Sequence, residues 1–361
     1  MRVGLVVYGD LDARTGGFGY DRTLVADLRE RGDGVEVIAL PWRTYRRGLL
    51  DNLDPRLAER IAGEYDVLLQ DELAHPSLAL TNRRLRVRLD CPLVGVVHHL
   101  RRDEVSGWRR RAYGAVERAY LDTLDGVVAT SEATLESVRD LVPVERALVA
   151  PPAGDQFDPP AVNVDARAHD GPLRVVALGS VVPRKGIDAL VEALSRLDAP
   201  WTLTVIGSIE ADPGYVRRLR ALVADRDLDS RVAFTGDLPT PAVAAVLERS
   251  HVLALPSRHE GFGVAYLEGM RFGLPALASA SGGARELVEH GNTGYLVEPG
   301  DAAALSLRLA ELEADRDHLA RLGEAARTRA ARHPTWDETG PRVRSFLADL
   351  AERPTARRER A

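Results

Sequence analysis

The chain has 361 residues, 45% of them hydrophobic, which is enough for two buried cores and excludes a single small module. Its 48 Lys and Arg against 54 Asp and Glu give a net charge of -6, which argues against a general nucleic-acid-binding protein. The single cysteine, Cys91, excludes internal disulfides and metal sites built from several cysteines, as is typical of a reducing compartment.

Membrane insertion and secretion are not expected either. Apolar runs such as 94–97 fall well short of the roughly 20 residues that cross a bilayer. The first residues lead into a charged loop and lack the apolar segment of a signal peptide. We therefore expect a cytoplasmic protein.

Strand and helix patterns alternate through the first half of the chain, with helical spacing over 18–31. The predicted strands cover 2–7, 35–40, 66–70, 92–98, 126–130 and 145–150. Such alternation is typical of a parallel sheet with helices on both faces.

A second alternating series follows a stretch from 151 to 172 that is rich in proline and poor in large apolar side chains. Its predicted strands cover 173–179, 201–207, 231–235, 252–256, 275–278 and 294–297, followed by helices over 302–331 and 336–351. The predicted division is therefore two doubly wound α/β domains at 1–155 and 173–335, a linker at 156–172, and a C-terminal helix with a basic tail at 336–361. Ligands of such folds bind outside the carboxyl ends of the strands, here facing the interdomain cleft.

A basic turn, Gly179-Ser-Val-Val-Pro-Arg-Lys-Gly186, follows the first strand of the second half and opens a helix. Amides at a helix N-terminus favour an anion, and Arg184 and Lys185 add two positive charges, so the turn predicts a diphosphate site. Lys185 is the only lysine among the 48 basic residues, which favours a site that needs a compact ammonium. The turn is not a Walker A loop, and a solvated basic turn remains the alternative.

Two glutamates, Glu260 and Glu268, flank a predicted helix start, and Gly261-Phe262-Gly263 follows the first of them. Carboxylates accept hydrogen bonds from paired hydroxyls, so Glu268 suits a ribose diol and Glu260 the hydroxyls of a sugar. The glycines let the main chain approach phosphate or sugar closely. The spacing itself is weak evidence, and two ordinary glutamates remain the alternative.

In the first half, the segment Thr15-Gly16-Gly17-Phe18-Gly19 forms a glycine-rich loop. A dinucleotide fingerprint would need glycine or alanine where Arg22 stands, and Glu36 falls inside the second strand, so an NAD site is disfavoured. His98 and His99 end a strand at the expected cleft, where either could contact substrate.

No metal site is expected. Asp-x-Asp occurs four times in this Asp-rich chain, so no single occurrence is informative, and His259-Glu260 lacks the second histidine of a zinc motif because position 263 is glycine. Between 83 and 111, nine arginines face three acidic residues, a local balance of +6. An anionic acceptor, an acidic membrane surface or merely solvated helix faces would each explain this basic stretch.

Together these motifs resemble those of glycosyltransferase family 4, the retaining nucleotide-sugar transferases of the GT-B fold. The likeness spans most of the chain and is most specific over 173–300, where 281–288 and 294–301 also match. It implies that 1–155 is the acceptor domain and 173–335 the donor domain. Many members have arginine where Ser180 stands, so the phosphate contact is expected to rest on Arg184 and Lys185.

The resemblance also implies roles for single residues. Arg184 and Lys185 would hold the donor diphosphate, residues 260–263 the sugar and Glu268 the ribose. Gly16 and Gly17 would lie near donor phosphate and acceptor, and His98 matches the active-site histidine. The expected catalytic set is His98, Glu260, Arg184 and Lys185.

The implied activity is retaining transfer from a UDP- or GDP-type donor to an acceptor hydroxyl, anionic or lipid-linked acceptors included. No cofactor, metal or nucleic acid is expected, and contact with the inner face of a membrane would be peripheral. A GT-B sugar phosphorylase or nucleotide-sugar epimerase is the main alternative. An NAD-dependent dehydrogenase and a non-catalytic nucleotide-sugar binding protein are remoter ones. The base, sugar, acceptor and oligomeric state stay open.

Overall fold

The computed structural model describes residues 1–11, 16–159 and 162–352, and the chain divides into two compact units. The first unit comprises Met1–Pro152 together with the segment from Trp336 onward, and the second comprises Ala153–Thr335. Each unit is built on its own parallel sheet.

In the described part of the first unit, six parallel strands lie in the order β2-β1-β3-β4-β5-β6. The strands are β1 Arg2–Tyr8, β2 Gly34–Leu40, β3 Val67–Asp71, β4 Leu93–Val97, β5 Gly126–Ala129 and β6 Ala147–Val149. Every residue of β3 and β4 is buried, as expected of strands covered by helices on both faces. The strand order reverses between β1 and β3, which places a binding crevice at their carboxyl ends.

The helices of this unit leave the carboxyl ends of the strands and return to their amino ends. They are α1 Gly16–Glu30, α2 Tyr45–Asp51, α3 Pro55–Ile61, α4 His75–Leu78, α5 Thr81–Arg88, α6 Gly107–Leu121 and α7 Glu132–Arg139, with 3-10 turns at Glu72–Ala74 and Arg101–Glu104. Residues with short polar side chains cap the N-termini of several of these helices. Asp54 accepts from the Arg56 amide at α3, and Ser131 accepts from the Thr134 amide at α7.

In the described part of the second unit, six parallel strands lie in the order β12-β11-β10-β7-β8-β9. The strands are β7 Leu173–Leu178, β8 Trp201–Ile206, β9 Val232–Gly236, β10 Val252–Leu255, β11 Ala276–Ser279 and β12 Gly294–Val297. The order reverses between β7 and β10, so the basic turn after β7 and the Glu260 loop after β10 flank the switch point.

The helices from residue 164 onward cover this second sheet, except the last, which belongs to the first unit. They are α8 Val164–Ala168, α9 Ile187–Leu194, α10 Pro213–Asp225, α11 Thr240–Arg249, α12 Val264–Arg271, α13 Ala284–Leu287, α14 Ala302–Ala314, α15 Arg316–Ala331 and α16 Trp336–Ala351. The helix expected over 302–331 is two helices, because the Asp315 carboxylate accepts from the His318 amide and starts α15.

The stretch 156–172, expected to be a linker, is part of the second unit and contains α8. The reason is a buried arginine: Arg167 donates to the carbonyls of Phe272 at 2.8 Å and Gly273 at 2.6 Å, while Val164 and Ala168 are buried. These contacts hold the segment on the second unit, although it contains few large apolar residues. Residues 160 and 161 lie outside the described part.

The C-terminal helix α16, expected as a separate segment, packs within the first unit. The Trp336 ring meets the Tyr20 ring edge-on at 5.1 Å, and Arg344 pairs with Asp33 at 2.7 Å. The basic tail from 353 lies outside the described residues. No helix of the described chain has the length and apolar character needed to span a bilayer.

Candidate active site

The turn after β7 is shaped by Gly186, which caps the start of α9 in the left-handed region at φ +68°. A Cβ at this position would lie 2.2 Å from the Pro256 carbonyl oxygen, so no other residue fits. The glycine lets residues 183–185 form a 3-10 turn against the end of β10. Arg184 and Lys185 are thereby held next to the N-terminus of α9, as predicted.

Lys185 binds Glu260, whose loop follows β10. The Lys185 Nζ donates to Glu260 Oε1 at 2.6 Å, and Arg184 Nη1 lies 3.6 Å from Glu260 Oε2. Ser257 Oγ also donates to Oε1, at 2.5 Å. The Glu260 carboxylate thus contacts two cations and a hydroxyl, and only 5% of the residue is exposed. Its contact with a sugar stays a prediction.

Glu260 is ionised despite this burial. Burial by itself would raise the pKa of its carboxyl, but Lys185, Arg184 and the hydrogen bonds outweigh it and lower the pKa to about 2. Burial lowers the pKa of the Lys185 ammonium, which Glu260 partly offsets. Two cations therefore share one carboxylate, leaving a net positive charge where a helix N-terminus already favours anions.

Two neighbouring glycines, Gly282 and Gly283, pack against the main chain of the Glu260 loop and fix its conformation. The Gly283 amide donates to the Glu260 carbonyl at 2.9 Å. A Cβ on Gly282 would lie 2.0 Å from the Glu260 carbonyl oxygen, and one on Gly283 would lie 2.2 Å from that of Gly261. The 281–288 element noted in the sequence thus fixes the main chain of residues 260–261. Phe262 is buried beside it, and Gly263 caps α12.

Glu268 lies one turn into α12, as predicted, and is 5% exposed. Its carboxylate accepts a hydrogen bond from Gln156 Nε2. Burial raises the pKa of Glu268 to about 8, and Gln156 and Lys185 reduce the shift. Sequence reasoning missed Gln156 because it stands in the proline-rich stretch, where nothing marks a buried partner.

In the first unit, His98 lies at the end of β4 among acidic side chains. Its Nε2 is 3.2 Å from Asp21 Oδ1, and its amide donates to Glu72 Oε2 at 2.8 Å. The α1 helix packs against the ring, because a Cβ on Gly17 would lie 3.1 Å from His98 Cδ2. Gly16 and Gly17, expected in a loop, are instead the first residues of α1, and Thr15 of that loop lies outside the described residues.

His99 points to different partners. Its Nε2 lies 2.8 Å from Glu104 Oε1, and its Nδ1 lies 3.9 Å from Glu72 Oε1. His98 is the more enclosed side chain, at 11% exposure against 22%. His98 is therefore the one that the glycine-rich start of α1 and the buried acids surround.

Asp21, Asp71 and His98 also lie close enough to share a cation, with one ligand atom of each within 4.8 Å of the others. Burial alone would lower the pKa of His98, but Asp21, Glu72 and Asp71 outweigh it and raise the pKa to about 10. Burial, Asp21 and Glu72 raise the pKa of Asp71 well above its ordinary value. The expectation of no metal stays a prediction.

The basic stretch 83–111 contains arginines that bind other parts of the fold and arginines that are exposed. In α5, Arg86 pairs with Asp125 at 2.7 Å and Arg84 donates to the Asn52 carbonyl at 2.6 Å, so these side chains belong to the fold. At the start of α6, Arg109 and Arg111 are exposed and have no carboxylate partner among the described residues, beside a Trp108 that is 74% exposed.

Comparison with known proteins gives two family matches. Residues 5–153 match the glycosyl transferase 4-like domain, and residues 163–329 match glycosyl transferases group 1. A D-inositol 3-phosphate glycosyltransferase of Xylanimonas cellulosilytica is 32% identical over 296 residues, covering 75% of this chain and 69% of that protein. The chain belongs to glycosyltransferase family 4.

A second relative supports this placement, and a solved structure shows the fold. A GDP-mannose-dependent alpha-(1-6)-phosphatidylinositol monomannoside mannosyltransferase of Mycolicibacterium smegmatis is 34% identical over 216 residues. That match spans 56% of this chain and 56% of the mannosyltransferase, little more than half its length. The fold of sucrose-phosphate synthase from Thermosynechococcus elongatus superposes with a TM-score of 0.83 at 23% identity, over 97% of this chain and 98% of the synthase. The predicted GT-B fold class is confirmed.

Proposed function

We propose that this family 4 chain is a retaining glycosyltransferase that moves a sugar from a UDP- or GDP-type donor to an acceptor hydroxyl. One observation carries the proposal: Lys185 and Arg184 share the buried, ionised Glu260 at the switch point of the second sheet. Two cations against one carboxylate, next to the N-terminus of α9, make an electropositive site suited to a diphosphate.

The reaction breaks the bond between the anomeric carbon and the donor diphosphate and forms a bond from that carbon to the acceptor oxygen. The acceptor hydroxyl passes its proton to an oxygen of the departing diphosphate. Negative charge grows on the departing diphosphate, and Arg184 and Lys185 stabilise it electrostatically. Glu268 accepts from the ribose hydroxyls, and the main chain of 261–263 approaches the sugar. Retention at the anomeric carbon comes from the family and not from the geometry.

Donor binding is tested first by thermal unfolding with UDP, GDP, ADP and NAD, each at the same excess. A ligand at 100 times its dissociation constant adds about 2.7 kcal/mol to the folded state. We expect one nucleoside diphosphate to raise the melting temperature and Lys185→Ala to reduce that response markedly. Stabilisation by NAD alone, or a response unchanged in Lys185→Ala, would contradict the proposal.

The single lysine permits a second, direct test. Reductive methylation with ¹³C-formaldehyde labels only the Lys185 amine and the N-terminal amine, so a nuclear magnetic resonance spectrum contains one lysine signal. We expect the bound nucleoside diphosphate to slow labelling of Lys185 and not of the N-terminus. Equal labelling rates with and without nucleotide would place the diphosphate elsewhere.

For the acceptor we infer a hydroxyl compound that carries a phosphate, either a free polyol phosphate or a lipid headgroup. The inference rests on relatives named for inositol 3-phosphate and for a phosphatidylinositol monomannoside. Transfer from a radiolabelled donor is measured with each acceptor, with inorganic phosphate and without acceptor. Product only with phosphate would indicate a phosphorylase, and an altered sugar without acceptor an epimerase. Activity that survives EDTA is expected, since no metal is predicted.

We also infer that Trp108, Arg109 and Arg111 meet an anionic membrane surface. Tryptophan favours the interface and each arginine near anionic lipid contributes about 1 kcal/mol. The test is co-sedimentation with phosphatidylcholine vesicles with or without phosphatidylglycerol. A variant with Trp108→Ser, Arg109→Glu and Arg111→Glu should lose binding. The matched variant Leu307→Ser, Arg217→Glu, Arg220→Glu changes an exposed apolar residue and two exposed arginines in the second unit and should keep it.

A further inference from the structure

Three carboxyl groups surround one histidine in the first unit. Asp21 and Asp71 are 0% exposed, and Glu72 is 4% exposed. Asp21 comes from α1, while Asp71 and Glu72 come from the end of β3. Three buried negative charges against one imidazolium would be costly, because each unpaired buried charge loses its hydration.

The hydrogen bonds distinguish the three acids. Glu72 accepts from the His98 amide, and Asp21 Oδ1 bonds His98 Nε2. Asp71 Oδ1 accepts from the Leu73 amide at 2.9 Å. The second oxygens, Asp21 Oδ2 and Asp71 Oδ2, are buried without a hydrogen-bond partner among the described residues. Asp21 and Asp71 each place one carboxylate oxygen within 4.8 Å of the other and of a His98 ring nitrogen, so a proton held by Asp71 would remove one negative charge from this cluster.

We propose that Asp21 is a positioning residue that holds His98 as an imidazolium, and that Asp71 is a neutral acid in the same cluster. His98 Nδ1 has no hydrogen-bond partner among the described residues, so a charged ring presents an N–H donor there. Resting on the proposed function, this makes His98 a cationic donor to an oxygen of donor or acceptor, and not a base.

The titratable groups near the His98 ring together determine whether it is charged. Tyr20 and Asp21 approach from α1, Asp71 and Glu72 from the end of β3, and His99 follows on the same strand end. The acids raise the pKa of His98 to about 10 although burial opposes them. The imidazolium is thus retained throughout the neutral range.

The test is a histidine titration by nuclear magnetic resonance on ¹⁵N-histidine-labelled full-length protein, with His98 assigned from its missing signals in His98→Asn. We expect His98 in the native protein to stay doubly protonated up to pH 9. Titration of His98 near its ordinary pKa would overturn the proposal, and this measurement needs no further variant.

Two isosteric variants separate the acids. Removing an opposite charge at this distance lowers a pKa by about 1 to 3 units, so Asp21→Asn should shift the His98 titration by that amount. Asp71→Asn keeps a neutral side chain and should shift the titration much less, because Asp71 contributes least of the three acids to the raised pKa of His98. An equal shift in both variants, or none in Asp21→Asn, would overturn the assignment.

Kinetics adds a readout that a purely structural role would not give. In Asp21→Asn, kcat should fall as pH rises through the lowered His98 pKa, while Asp71→Asn should stay close to the native profile. If no donor and acceptor pair gives transfer, the proposed function fails, but the titration still decides the charge of His98.

Discussion

The Lys185 ammonium and the Glu260 carboxylate join two loops that are 75 residues apart in sequence, with 2.6 Å between Nζ and Oε1. The sequence marks both residues as ligands of a donor. In the structure they are also each other's partners, so substituting either one changes charge, folding and binding together.

Lys185→Ala should weaken nucleoside diphosphate binding on the order of 10- to 100-fold, because charged hydrogen bonds of about 1.5 to 3 kcal/mol are lost. Isothermal titration calorimetry measures the change, with the exposed Arg226→Ala as a control that should bind normally. Lys185→Arg should restore only part of the affinity, since a planar guanidinium replaces a compact ammonium. Native affinity in Lys185→Ala would rule out the diphosphate assignment.

Glu260→Ala should destabilise the protein by about 3 to 5 kcal/mol at pH 7, because a buried lysine loses its partner. Glu192→Ala, which removes an exposed pair with Arg196, should cost at most about 1 kcal/mol. The folded pKa of Glu260, about 2, lies below its unfolded value, so its stabilisation is present above pH 4.5 and is lost as pH falls towards 2. Urea denaturation at pH 7 and pH 3 should therefore show a difference between native protein and Glu260→Ala that shrinks in acid.

Glu268 predicts a pH-dependent affinity for the nucleotide. Its folded pKa of about 8 lies above the unfolded value, so the carboxyl is largely protonated at pH 7 and destabilises the fold as it ionises. A ribose diol donates best to the carboxylate, so affinity should increase from pH 6.5 to 9. In Glu268→Gln the increase attributable to this group should vanish. A native protein with the same affinity across this range would exclude Glu268 as the ribose acceptor.

Gly282→Ala tests whether the glycine pair fixes the Glu260 loop. The new Cβ would approach the Glu260 carbonyl to 2.0 Å, so the variant should lose nucleotide binding and stability. Gly291 has a similar positive φ, and nothing lies within 4 Å of its Cβ position. Gly291→Ala should therefore show the cost of backbone strain alone, about 1 kcal/mol. Equal effects in melting and binding assays would show that the close approach is unimportant.

The sequence predicts the strands and most of the second-unit site because their signals are local. Gly179 after an apolar run and Gly186 after two basic residues mark the turn, and the helix start after Gly263 sets the position of Glu268. Pairings between distant segments leave no such mark. Asp21 looks like any polar residue of a helix, Gln156 stands in a proline-rich stretch, and Asp71 extends a strand by one residue. Each matters only because folding buries it against a partner from another element.

The placement of α16 makes the first unit discontinuous along the chain, since residues up to Pro152 and those from Trp336 form one unit and the second unit is the continuous segment between them in sequence. During synthesis, a chain that ends at residue 335 contains all of the second unit, while Tyr20 still lacks Trp336 and Asp33 still lacks Arg344. The unit that contains His98 therefore completes its packing only when the last helix has been made. A gene product that ends before α16 would therefore lack part of the packing around this histidine while it still contained the proposed diphosphate site.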